Sequence, residues 1–286
     1  MAVYKRTYRG YSGPLTPSWS RFLLLYRASR RRLFESKLQT GFFSLCFFYP
    51  LLCLLGIYAN ANLSALPLLG QQASSLLKVD GSFFFVFLSV QSSLSFVLTA
   101  FTGPGLISPD LANGALTLYL CRPLSRTEYL LGKISVLVIT LSWITWVPGL
   151  VLFFVQASLS GRQWLIDNAW LAGAILWGSL IWVFVLALLS LTLSAWVKWR
   201  IAAGALLLAI FFMGAGFAQA VNAVLRTRHG YLLDVGSLVS TIWHDLFRDG
   251  FSASIPVSEA WTALLVLAVL CLLLMMRKIR PNEVVR

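Results

Sequence analysis

The chain has 286 residues, 58% of them hydrophobic and only 12% charged, with a formal net charge of +13. A soluble domain of this length carries far more charge, and runs of about twenty apolar residues recur, the length that crosses a bilayer as a helix. The composition therefore excludes an ordinary soluble domain. In a polytopic membrane protein the positive excess reads as topology, not as a nucleic-acid footprint, because Lys and Arg gather in cytoplasmic loops.

In chain order, residues 1–18, with their Tyr, Gly and Pro, predict a disordered cytoplasmic tail. Residues 19–37 follow with an amphipathic pattern. Phe22, Leu23, Leu25, Tyr26 and Leu33 make an apolar face, and Arg21, Arg27, Arg30, Arg31 and Arg32 a basic one. That is the make-up of a helix lying in the cytoplasmic interface, held by apolar burial and anionic lipid. No secretory signal peptide is expected, since "FLLL" (22–25) is too short for an apolar h-region.

Six transmembrane helices are predicted within 41–280, at roughly 41–59, 82–102, 134–156, 170–197, 201–221 and 260–277. The fold class is thus all-α. Pro148 predicts a kink in the third span, where neighbouring groups can satisfy the freed carbonyl. "VKWRI" (197–201) leaves so few residues that the fourth and fifth spans must form a tight hairpin. In the fifth, Gly214 with Ala218 and Gly216 with Ala220 suit close helix approach. "YLLDVGSLVSTIWHDLF" (231–247) has helix-like apolar spacing and is expected to dip into or lie on the outer surface.

Basic residues sort strongly by side. Eighteen of the 23 Lys and Arg fall before the first span, between the second and third, between the fourth and fifth, or after the sixth. Lys78, Arg162, Arg226, Arg228 and Arg248 occupy the other side. Both termini are therefore expected in the cytoplasm.

Several chemistries lack their residues. All ten carboxylates lie in predicted loops or at span ends, unlike the intramembrane acids of ion-coupled carriers. Cys46, Cys53, Cys121 and Cys271 form neither a disulfide framework nor a metal motif. His229 and His244 lie near Asp234, Asp245 and Asp249, yet match no tight ligand spacing. Gln91 with Ser92, Ser93 and Ser95 reads as helix-packing glue. "TEYLLGKIS" (127–135) ends like a phosphate-binding loop, but Thr127 stands at its first glycine and Ile134 at its Ser or Thr.

One charged segment stands out between the second and third spans. "ISPDLANGALTLYLCRPLSRTEYLLGK" (107–133) resembles the corresponding segment of ABC-2 type permeases, the membrane subunits of type-2 ABC exporters. The matching positions are Asp110, Gly114, Leu116, Leu118, Leu120, Pro123, Ser125, Arg126, Tyr129, Gly132 and Lys133. Thr117 stands where the family usually has a glutamate. With six spans and a basic N-terminal elbow, the resemblance extends from about 15 to 280.

The resemblance implies a non-catalytic permease subunit in a bacterial cytoplasmic (inner) membrane, multi-pass, exporting an amphipathic or lipid-like substrate. The charged segment would be a cytoplasmic coupling helix gripping a separate ABC ATPase subunit, two copies per complex. Leu116, Leu118 and Leu120 would be the apolar anchors. Arg122, Arg126 and Glu128 would form a polar rim, flanked by Asp110, Pro123 and Lys133. ATP and magnesium would sit on that partner, with no cofactor on this chain. A second permease chain, identical or sister, and the lipid bilayer would complete the partners; no nucleic acid is expected. The alternative is a non-transporting membrane scaffold that recruits a cytoplasmic partner for cell-envelope assembly through the same segment.

Overall fold

Inside a bilayer a backbone N–H or C=O finds no water, so apolar runs fold as helices that satisfy their own backbone groups. The computed structural model describes residues 20–63, 78–115, 125–248 and 255–279. The predicted tail (1–18) and the centre of the charged segment (116–124) lie outside the described residues.

The helices in chain order are α1 (Arg21–Phe34), α2 (Lys37–Leu45), α3 (Phe48–Leu63), α4 (Gly81–Thr102), α5 (Pro104–Ala112), α6 (Arg126–Ile144), α7 (Trp146–Ser160), α8 (Arg162–Asp167), α9 (Ala169–Trp196), α10 (Arg200–Leu225), α11 (Val235–Phe247) and α12 (Val257–Lys278). A short 3-10 turn, His229–Leu233, precedes α11. Among the described residues, six helical runs are long and apolar enough to cross a membrane: α2 with α3, α4 with α5, α6 with α7, then α9, α10 and α12. The chain is a multi-pass, all-helical membrane protein.

Helix α9 is the hub. It packs against α4, α5, α6, α7, α10, α11 and α12, and 67% of its apolar stretch is buried, against 22% for the first, fifth and sixth runs. A helix apolar all round belongs in the centre of a bundle. Its buried Ala174, Gly178, Ser179, Ala187, Ser190 and Ser194 let neighbours approach closely. The glue expected around Gln91 is present. Gln91 Nε2 donates to the Cys46 carbonyl at 2.9 Å, and Trp182 Nε1 on α9 donates to Ser95 Oγ at 2.9 Å and to the Ser92 carbonyl at 3.1 Å.

Two spans are broken helices. The third breaks at Thr145 (φ −106°, ψ −90°), because Pro148 has no N–H for the carbonyl of Ile144 and its ring crowds that carbonyl. The second was expected to end near residue 102. It instead restarts at Pro104, which suits a first helical position because its missing N–H is not needed there. The hydroxyl of Ser194 on α9 inserts at this restart. It accepts from the N–H groups of Ile107 (3.2 Å) and Ser108 (2.9 Å) and donates to the Pro104 carbonyl (3.0 Å). Ser108 Oγ in turn donates to the Val197 carbonyl at 2.7 Å.

The two ends of the bundle differ. At one end, α1 meets the start of α6, α5 meets the 194–197 stretch, and Lys278 Nζ lies 5.1 Å from the Trp196 ring centroid. At the other, Arg248 stacks on Trp170, 4.8 Å from its centroid. Here α11 enters the bundle and buries Leu238, Val239, Ile242, Trp243 and Phe247. Trp243 Nε1 donates to the Gly178 carbonyl at 3.0 Å. Helix α11 thus packs against α4, α9 and α12.

Ser194→Ala removes the hydroxyl that contacts three buried backbone groups at the start of α5. Unfolding in detergent, followed by tryptophan fluorescence, should show destabilisation of about 1–3 kcal/mol.

Candidate functional site

Helix α6 starts at a capping box. Ser125 Oγ accepts from the N–H of Glu128 at 3.2 Å, and the Glu128 carboxylate accepts from the N–H of Ser125 at 2.7 Å. This pairing satisfies two donors that a helix start otherwise leaves exposed. It also begins the third span's helix at Arg126, eight residues before the expected 134. Glu128, expected at a docking rim, therefore caps a helix. Arg126 beside it is exposed.

One and two turns into α6, Tyr129 and Lys133 lie on the same face, four residues apart. That face meets α5 and α1. Lys133 Nζ lies 2.8 Å from Asp110 Oδ2, with both side chains 4% exposed. Tyr129 Oη donates to the same carboxylate at 2.9 Å. Lys133 also donates to Ser29 Oγ on α1 at 3.3 Å, and its ammonium lies 5.5 Å from the Tyr129 ring centroid. Arg32 Nη1 approaches Asp110 Oδ1 at 3.7 Å from a side chain that is 66% exposed.

Helix α1 is brought in by shape. Leu25, Ser29 and Leu33, at four-residue spacing, are its buried stripe. A Cβ at Gly132 would come within 2.9 Å of Leu25 Cβ and 3.2 Å of the Phe22 carbonyl, so only glycine allows α1 to lie this close. The opposite face exposes Arg27, Arg30, Arg31 and Arg32. Arg30 sits 5.5 Å from the Tyr26 ring centroid. The side chain of Arg21 lies outside the described residues.

The structure thus sorts the anticipated site residues. Asp110 and Lys133 come together, but buried against each other, beneath any docking surface instead of on it. The reason is electrostatic: neither charge is tolerable alone in an apolar setting, and each is the other's nearest counter-charge. Arg126 remains exposed. Leu116, Leu118, Leu120, Arg122 and Pro123 lie outside the described residues. Ser29, Tyr129 and Gly132 complete the cluster. Tyr129 and Gly132 belong to the matched segment, and the four-residue step from Tyr129 to Lys133 was the available signal; nothing local marked Ser29.

Among the described residues no three His, Cys, Asp or Glu side chains converge as a metal set. His229 pairs at 3.9 Å with Glu259, while His244 stacks on Phe85 with ring centroids 4.5 Å apart. What the arrangement does is mechanical. It fastens the end of the second span, the start of the third and α1 into one unit, around the two roots of the 113–125 connection. Compared with known proteins, the chain matches no family model and no curated protein.

Lys133→Met alone strands the Asp110 carboxylate and should cost about 3–5 kcal/mol. Adding Asp110→Leu should recover most of it, less the lost Tyr129–Asp110 hydrogen bond at about 1–3 kcal/mol. A double-mutant cycle on detergent melting curves reads both numbers; additive losses would separate the pair.

Proposed function

We propose that the chain is the permease subunit of an ATP-binding cassette exporter of the ABC-2 type. It works as one of two permease chains, while ATP is hydrolysed on separate cytoplasmic ATPase subunits. The carrying observation is the buried Asp110–Lys133 pair with Tyr129 and Ser29. It ties both roots of the 113–125 connection to each other and to α1. A soluble motor gripping that connection would then move two spans and the elbow together. Packed helices shift as rigid bodies between discrete arrangements instead of bending continuously.

Sidedness supports the same reading. The end of the bundle that bears α1 also carries Arg126, Lys198, Arg200, Arg277 and Lys278, all exposed or half-buried. By the positive-inside bias this end faces the cytoplasm. Helix α1, with its arginines outward and Leu25 and Leu33 inward, then lies at the cytoplasmic surface as an elbow.

The deciding experiment is purification of the tagged chain from its native membrane in mild detergent. A stoichiometric partner with a phosphate-binding loop and vanadate-sensitive ATP hydrolysis is expected. A stable chain that brings down no nucleotide-binding protein would favour the scaffold role instead. Arg126→Glu combined with Leu118→Asp should abolish recovery of the ATPase while the chain still inserts and purifies. Equal recovery with parent and variant would remove the connection from the docking surface.

Sidedness is tested separately. A cysteine replacing Arg226 should react with an impermeant maleimide in intact cells, and one replacing Arg126 only after the membrane is opened.

A further inference from the structure

An apolar groove of about 610 Å³ runs between α12 and the segment formed by the 3-10 turn and α11. Leu238, Ala263 and Leu267 line it, and Leu270 marks its far end. Its ionisable residues, His229 and Glu259, stand together at the opposite end, 3.9 Å apart. From Glu259 to Leu270 the groove follows eleven residues of α12, about 16 Å at the helical rise. Half of a bilayer's hydrocarbon core is about 15 Å.

Length, polarity and position therefore agree. The groove begins at the end of α12, where a headgroup region lies, and stops near the middle of the membrane. Its rim side chains, Val266 and Leu270, are exposed by 66% and 51%, so it opens sideways and not into the bundle.

We propose that this groove is a binding site for one acyl chain of a membrane phospholipid that carries a primary-amine headgroup. The acyl chain lies along α12 over Ala263 and Leu267. The headgroup ammonium meets the Glu259 carboxylate, which is 40% exposed at the groove's mouth, and the neighbouring phosphate meets His229. A carboxylate at this position disfavours purely anionic headgroups by like-charge repulsion, and a trimethylated amine offers it no N–H to donate. The site sits at the end of the bundle away from α1, does not involve the Asp110–Lys133 cluster, and stands whether or not the chain is an exporter.

The test reconstitutes the full chain in nanodiscs of equimolar phosphatidylethanolamine, phosphatidylcholine and phosphatidylglycerol, then counts lipids retained after release by native mass spectrometry. One retained phosphatidylethanolamine per chain is expected. Ala263→Phe, which fills the groove floor, should lose it with an unchanged size-exclusion profile. Glu259→Gln should shift retention toward the bulk headgroup mixture. A photoreactive residue replacing Val266 should crosslink to lipid. Retention matching the equimolar mixture in the parent chain would overturn the proposal whatever the variants do. So would crosslinking of position 266 to a second copy or to another protein, which would make the groove a helix–helix interface.

Discussion

The ammonium of Lys133 and the carboxylate of Asp110 are each intolerable alone where they sit, and that necessity organises the basic end of the molecule. Breaking such a pair costs about 3–5 kcal/mol, while one buried hydrogen bond left unmade costs about 1–3 kcal/mol. The pair therefore outweighs any other single contact of α5. It fixes how α5 lies on α6, and Tyr129 and Ser29 add hydrogen bonds to its two charges. Gly132 then sets how closely α1 lies on α6. On its other flank α5 is held by Ser194 and Val197 of the α9 hub. A nine-residue helix too short to be stable by itself becomes a keystone because two different elements grip it.

This division also explains which parts of the fold were legible in the sequence. Span number, the Pro148 break and the tight turn at 197–199 follow from length, proline chemistry and composition, which are local properties. The boundaries around the charged segment are not local. An aspartate and a lysine next to an apolar run ordinarily mark its end, and both were read as loop residues for that reason. Their pairing, across 23 positions, lets both charges lie buried inside helices that continue to Ala112 and begin at Arg126. The capping box Ser125–Glu128 was a readable sign of the early start, since Ser followed three residues later by Glu before an apolar run is a helix-start pattern.

Helix α11 shows the same limit from the other side. Its apolar spacing made a helix evident, but spacing alone cannot distinguish a helix on the surface from one inside. The outcome rests on Trp243 finding the Gly178 carbonyl and on Phe85 packing against Trp243, His244 and Phe247. A buried indole N–H needs an acceptor, and a glycine carbonyl on a small-residue helix is accessible in a way that one flanked by large side chains is not.

The uneven burial of the six runs has a mechanical consequence. α9 is gripped on all sides, whereas α10 buries only Ala203, Gly204, Leu207 and Ala218 and turns Phe212, Met213 and Phe217 outward. Close-packed interiors transmit displacement instead of absorbing it, so force applied at the 113–125 connection passes through α5 to α9 with little lost between them. α10 meets that core through Ala203, Gly204 and Leu207, with Phe211 against Phe96 and Trp182, and like the first and sixth runs it has little buried surface to lose by sliding. Within the exporter reading, the stiff unit is α1, α5, α6 and α9, and the compliant element is α10. A rearrangement driven from the basic end would therefore open along the face of α10 before it disturbed the hub.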